Sequence, residues 1–159
     1  FGSKYTYKKN KLYFNKIHLY NKLIKKMLRN ISYNDHKIKE EITKKIGQPF
    51  SFFERIKMNG IGSSNLRVLG CNSEIENLLN LDNNDNRCNI EIRKKGIIVR
   101  FRALLETYAL IIPFYKLKLF KGESSVYSIY IDNYYIKVLA NNKNVHDFFK
   151  KISKYKNFN

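Results

Sequence analysis

The side chains that most often perform catalysis or bind metals are few in this sequence and lie far apart. The three histidines are His18, His36 and His146, and the two cysteines, Cys71 and Cys88, are separated by 17 positions. A zinc site needs four clustered ligands, and an enzyme needs a positioned nucleophile, base or metal. We therefore expect no metal, no cofactor and no catalysis, and we interpret both cysteines as buried thiols in a reducing cytoplasm.

Three short motifs resemble functional sites, but each lacks a necessary part. Residues 60–64, GIGSS, begin like a phosphate-binding glycine loop, yet strand-like residues follow where a helix N-terminus is required. Residues 82–87, DNNDNR, alternate Asp and Asn like a calcium loop without the glycine and distal glutamate of an EF-hand. His146 and Asp147 are helical neighbours that point about 100° apart, so they form no dyad. We interpret the two loops as a turn and a solvated segment.

Positive charge is the strongest signal in the sequence. The 159 residues include 31 Lys+Arg and 13 Asp+Glu, which gives a formal net charge of +18. Residues 1–49 hold 13 of the basic residues and only 3 of the acidic ones, so the excess is densest in the first third. Such a charge attracts nucleic-acid phosphates, anionic lipid surfaces or acidic proteins.

Residues 12–31 have the periodicity of an amphipathic helix. Apolar residues recur at three- and four-residue steps from Ile17 to Ile31. The basic residues of another face are Lys22, Lys25, Lys26 and Arg29. This face would dock on an anionic membrane or a partner, or else the apolar stripe packs on the rest of the domain and the basic residues face water.

The pattern then predicts a second helix over residues 36–46, stopped by Gly47, so that the first third forms a helical hairpin. Residues 50–69 alternate around Asn59-Gly60 and favour a strand hairpin, with a short helix from Phe50 as the alternative. Residues 73–76, SEIE, predict a capping box at the start of a short helix that ends near residue 80.

Residues 88–139 contain strand-like segments that are separated by turn residues. Apolar and polar residues alternate in most of them, and residues 108–112 form a continuous apolar run typical of a central strand. A closing helix carries Phe148, Phe149 and Ile152 on one side, with Asn144 as its predicted cap. These elements predict an α+β fold with a bent antiparallel sheet and a C-terminal capping helix.

The order of these elements resembles a bacterial pleckstrin-homology-like (PH-like) domain over about residues 64–153. The resemblance lies in Gly96-Ile97-Ile98-Val99, in Ile111-Ile112-Pro113 leading to Leu117, in the two alternating strands that follow, and in the final helix. It implies an antiparallel barrel of about seven strands that is plugged by the C-terminal helix. The predicted organisation is a basic helical extension over residues 1–49 and a PH-like domain over residues 50–159.

The resemblance also implies an anion-binding site. In PH domains that bind inositol phosphates, a basic residue in the first hairpin often precedes two basic residues spaced one residue apart on the next strand. The residues that match, with their basic neighbours, are Arg93, Lys94, Lys95, Arg100 and Arg102. Alternate residues of a strand face one way, so Arg100 and Arg102 can bracket one phosphate.

The sequence thus predicts a non-enzymatic binding or scaffold domain. Its expected partner is an anionic membrane surface or an acidic protein, and its expected location is the cytoplasm, as a peripheral membrane protein in the first case. No apolar run approaches the ~20 residues of a membrane span. One alternative is RNA or DNA binding through the Lys, Tyr and Phe of residues 4–29. Another is a small subunit of a larger assembly.

Overall fold

A computed structural model describes residues 27–81, 86–123 and 125–158. These residues form eight strands and four helices. The strands are β1 (Leu28–Asn30), β2 (Leu66–Cys71), β3 (Arg87–Arg93), β4 (Gly96–Ala103), β5 (Glu106–Pro113), β6 (Lys118–Lys121), β7 (Val126–Ile131) and β8 (Tyr134–Leu139). The helices are α1 (His36–Ile46), α2 (Phe52–Lys57), α3 (Ser73–Leu79) and α4 (Lys143–Asn157).

The eight strands form one open antiparallel sheet in the order β1-β5-β4-β3-β2-β8-β7-β6. Successive hairpins connect β3, β4 and β5 on one side and β6, β7 and β8 on the other. Strand β2 joins these two halves. Its first residues pair with β3, and from Val68 onward it pairs with β8, with a bulge between Val68 and Gly70.

The main core lies on the inner face of the sheet. Alternate strand residues point into it, and α4 covers it with Phe148, Phe149 and Ile152. The ring of Tyr127 stacks on that of Phe149 with centroids 4.0 Å apart. The side chains of both sheet halves therefore share one apolar interior with the C-terminal helix.

Helix α1 packs on the opposite, outer face. Its Ile46 joins Ile98, Ala109 and Ile111 in a second buried cluster. The helix begins at Asp35, whose side chain accepts a hydrogen bond from the Lys37 amide at 2.8 Å. Since β4 and β5 lie between this cluster and the main core, they are buried on both faces, which explains the continuous apolar run in β5.

The end of α1 is docked on the β3–β4 turn. The amide of Lys95 donates to the Ile46 carbonyl at 2.8 Å. A methyl group on Gly96 would lie 2.4 Å from the Ile112 carbonyl oxygen and 2.6 Å from Ile46 Cγ2. Only glycine permits this close approach.

The predicted fold class was wrong in two respects. The sheet has eight strands and is open between its edge strands β1 and β6, whereas a barrel of about seven strands was expected. The expected N-terminal helical hairpin is also absent from the described residues. Leu28–Asn30 forms a strand because its backbone pairs with Leu110, Ala109 and Tyr108 of β5, and the rest of the predicted first helix lies outside the described residues.

Several local predictions were confirmed and others were wrong. Helix α1 has the predicted bounds, and α4 has the predicted apolar side, although its cap is Asn142. Residues 52–57 form a helix instead of a strand, because the capping box occurs at Ser51 and Glu54. No side-chain cap forms at the start of α3, where a capping box was expected.

The docking of α1 predicts that Gly96→Ala destabilises the protein. The added methyl group must displace either the β5 backbone or Ile46, and such overpacking costs about 2 kcal/mol. Gly70→Ala is the matched control, because no atom lies within 4 Å of a Cβ at that position. Urea unfolding measures both free energies. Equal effects of the two substitutions would contradict the proposed close approach.

Candidate functional site at the β4–β5 hairpin

A row of exposed arginines crosses the outer face at one end of the sheet. The register pairs Arg67 of β2 with Arg87 of β3. It also pairs Cys88 with Phe101, which brings Arg87 beside Arg102 of β4. We call Arg67, Arg87 and Arg102 the arginine row. The register therefore places three exposed arginines side by side on one face of the sheet.

Two leucines form the tip of the β4–β5 hairpin, directly after the last of these arginines. Ala103 pairs with Glu106, so Leu104 and Leu105 are the whole turn. Their exposed fractions are 55% and 90%. A tight turn normally has Gly, Asn or Asp here, as the β7–β8 turn does with Asp132 and Asn133. The β4–β5 turn instead presents two apolar side chains to solvent.

The backbone of Leu104 is strained. Its φ is +55°, in the left-handed region that costs a residue with a Cβ roughly 1–2 kcal/mol. Asp132 has a similar φ of +48°, but a short polar side chain tolerates that conformation better. Backbone strain at an exposed apolar residue is a feature that clusters at functional sites.

Tyr33 lies at the same end of the sheet. The amide of Ile31 donates to the Thr107 carbonyl, and the Ser32 hydroxyl accepts from the Thr107 amide at 2.7 Å. The chain therefore leaves β1 beside the base of the hairpin, and the next residue, Tyr33, is exposed. The hairpin tip, Tyr33 and the arginine row give this end of the sheet apolar and cationic groups together.

The structure divides the five predicted anion-binding residues between two ends of β4. Arg93, Lys94 and Lys95 lie at or beside the β3–β4 turn, and Arg102 lies near the leucine tip. The eight residues of β4 span roughly 25 Å. The five residues therefore do not converge on one phosphate, and the binding site that the resemblance implies stays a prediction.

Arg93 and Arg100 both contact one carboxylate. Arg93 Nε lies 2.5 Å from Glu91 Oε1, and Arg100 Nη1 lies 2.7 Å from Glu91 Oε2. Burial lowers the pKa of Arg93, and the ion pair with Glu91 opposes that change. Glu91 thus neutralises part of the charge that a ligand would meet.

Lys94 also has an internal partner. Its ammonium lies 3.2 Å from Glu54 Oε1 and 5.9 Å from the centroid of the Phe50 ring. Lys95 is exposed without such a contact, but its backbone holds the end of α1. Of the five residues, Arg102 alone combines exposure, the absence of an ion pair within the described residues, and a position next to exposed apolar groups.

The predicted membrane-facing surface can be placed at only one residue. Arg29 lies on β1 and forms a forked contact with Glu41 of α1, with Nη2 2.8 Å from Oε1 and Nε 3.1 Å from Oε2. Lys22, Lys25 and Lys26 lie outside the described residues. The guanidinium of Arg29 thus holds α1 against the sheet.

Two features that suggested chemistry have structural roles here. His146 Nδ1 lies 3.2 Å from the Tyr127 hydroxyl. Burial raises the pKa of the two thiols, to about 11 for Cys71 and about 12 for Cys88. Such thiols are protonated at neutral pH and are poor nucleophiles. Within residues 27–81, 86–123 and 125–158, no group of three His, Cys, Asp or Glu side chains is arranged to hold a metal ion.

The residues that the sequence analysis missed are Arg67, Arg87, Leu104 and Leu105. The leucines carried a usable signal, because two large apolar residues between alternating strands occupy positions where turn residues are expected. The arginines gave no such signal, because their proximity depends on strand register.

Comparisons with protein-family models, with curated proteins and with solved structures found no match. The resemblance to PH-like domains therefore stays a prediction. Each helix in the described part of the chain is too short or too polar to cross a bilayer.

We expect Leu104→Gly to stabilise the protein. Glycine adopts positive φ without a steric penalty, and the leucine side chain that is lost is more than half exposed. The free energy of unfolding in urea should rise by about 1 kcal/mol. Leu105→Gly is the control. Because Leu105 has no positive φ, this substitution should lower the free energy of unfolding or leave it unchanged. A loss of stability in Leu104→Gly would show that the turn is not strained.

The Arg29–Glu41 contact predicts a pH-dependent contribution to stability. Burial alone would raise the pKa of Glu41, but hydrogen bonds from Arg29 and Lys45 hold it below the ordinary value of 4.5. A carboxylate with a lowered pKa stabilises the fold above its unfolded pKa and loses that effect as the pH falls.

Glu41→Gln should therefore cost about 1 kcal/mol at neutral pH and less near pH 3. Glu40→Gln, at the exposed neighbouring position, is the control. Urea unfolding at the two pH values measures the difference. An effect of Glu41→Gln that is independent of pH would contradict the assignment.

Proposed function

We propose that this protein is a non-enzymatic domain that docks on anionic membrane surfaces through the β4–β5 hairpin. The observation that carries the proposal is the strained, exposed Leu104-Leu105 turn beside the arginine row. The leucines enter the apolar region of the bilayer, and the arginines contact lipid phosphates at its surface.

The two leucines match the apolar interior of a lipid leaflet, and the arginines match its anionic headgroup layer. Burial of one leucine side chain contributes up to about 1.5–3 kcal/mol, and each basic residue near an anionic surface adds about 1 kcal/mol. Arginine forms forked hydrogen bonds to phosphate, and Tyr33 suits the interface because its ring is apolar and its hydroxyl polar. These terms together support reversible binding.

The proposal keeps the predicted partner but moves the contact. The predicted contact combined the β domain with the basic helix of residues 12–31. Of that helix only residues 27–31 are described, and there Arg29 is paired with Glu41. An acidic protein would also be attracted by the arginine row. A bilayer fits better, because it accepts two projecting leucines without a matching cavity.

We expect Leu105→Ser to weaken binding to mixed phosphatidylcholine–phosphatidylglycerol vesicles about tenfold in a sedimentation assay. Ile56→Ser is the matched control, because Ile56 is 59% exposed on α2, beside the Lys94–Glu54 pair at the other end of the sheet. The full chain is used, because removal of residues 1–49 would delete β1 and α1.

Arg102→Gln tests the electrostatic part and should weaken binding to these vesicles about fivefold. Lys95→Gln removes one positive charge at the other end of β4 and should have a smaller effect. Equal losses from the two variants, or equal binding of wild type to pure phosphatidylcholine vesicles, would refute the hairpin site. Unchanged vesicle binding by Leu105→Ser would refute insertion.

A further inference from the structure

A second exposed surface lies on the outer face of β6, β7 and β8. The register places Lys118, Tyr130 and Tyr135 in one row and Phe120, Ser128 and Lys137 in the next. Their strand neighbours Ile129 and Ile136 are buried in the main core, so these two rows point the other way. This face contains three aromatic rings and two lysines.

The three rings are in contact with one another. The Phe120 and Tyr130 centroids are 5.6 Å apart with the rings nearly perpendicular, and the Tyr130 and Tyr135 centroids are 5.9 Å apart at 29°. The Lys137 ammonium lies 5.9 Å from the Tyr135 centroid. We call Phe120, Tyr130 and Tyr135 the aromatic ladder.

The ladder is partly exposed and has lysines beside it: Tyr130 and Tyr135 are half-buried and Phe120 is exposed. Phe120 is 57% exposed on the edge strand β6, where a bare apolar side chain invites aggregation. Lys118 and Lys137 are exposed beside it and have no ion pair within the described residues. The positive charge next to the rings is therefore not neutralised.

We propose that the aromatic ladder binds single-stranded nucleic acid. Its bases stack on exposed rings, and its phosphates are attracted by neighbouring lysines, which is how sequence-tolerant single-strand binders work. In a duplex each base is already stacked and paired, so its faces are not available to the ladder. In the strand order, β3 and β2 lie between β4 and the strands of the ladder. The ladder and the β4–β5 hairpin can therefore be tested independently.

The first test uses the unmodified full chain and needs no variant. Fluorescence anisotropy compares a dye-labelled oligothymidine with an abasic oligonucleotide of the same length. Stacking predicts that the ordinary strand binds more tightly by about fivefold or more, because both probes carry the same phosphates. Equal affinities would overturn the proposal, since they would mean that charge alone is recognised.

The second test removes one ring and keeps its apolar character. Phe120→Leu should weaken oligothymidine binding roughly fivefold or more, whereas Phe53→Leu, at an 81% exposed position on α2, should not. Lys137→Gln should reduce the affinity for both probes. Unchanged oligothymidine binding by Phe120→Leu would overturn the proposal. Binding of an acidic protein that oligothymidine does not displace would also overturn it. Leu105→Ser is expected to bind oligothymidine normally.

Discussion

The whole structure depends on the double pairing of β2. The strand pairs with β3 at Leu66 and Arg67 and with β8 from Val68 onward, with a bulge between Val68 and Gly70. A bulge adds a residue, bends the strand and increases its twist. This bend turns the inner faces of both sheet halves toward one core, and α4 can then cover that core with a single apolar side.

The same sheet explains why its outer face is not uniform. Helix α1 covers β4 and β5 at Ile98, Ala109 and Ile111, where Gly96 permits its close approach. Beyond the reach of α1, that face presents the arginine row at one end of β4 and the aromatic ladder on β6, β7 and β8. The first surface combines exposed arginines with the leucine turn, and the second combines lysines with partly exposed rings, so each matches an anionic ligand with an apolar part.

Sequence patterns predicted the elements that local rules determine. Asp35 and Gly47 delimit α1, alternation located most of the strands from β3 to β8, and a continuous apolar run located β5. Tertiary pairing determined the rest. Residues 28–30 continue a helical periodicity, yet β5 offers them backbone partners and they become a strand. Arg67, Arg87 and Arg102 are far apart in sequence, and no local rule shows that they meet. Of the predicted anion site, burial and ion pairs left Lys95 and Arg102 available to a ligand, and of these Arg102 lies beside the exposed leucines.

The distribution of acidic side chains explains how an overall charge of +18 becomes two specific surfaces. Five of the eleven described carboxylates contact groups that hold the fold together. These contacts are Glu41 with Arg29 and Lys45, Glu54 with Lys94, Glu91 with Arg93 and Arg100, Asp132 with Lys116, and Glu74 with the Tyr134 hydroxyl. Arg102, Lys118 and Lys137 form no ion pair with these five acids. Part of the excess positive charge thus lies beside exposed apolar side chains. This arrangement favours binding surfaces over a general contribution of the charge to solubility.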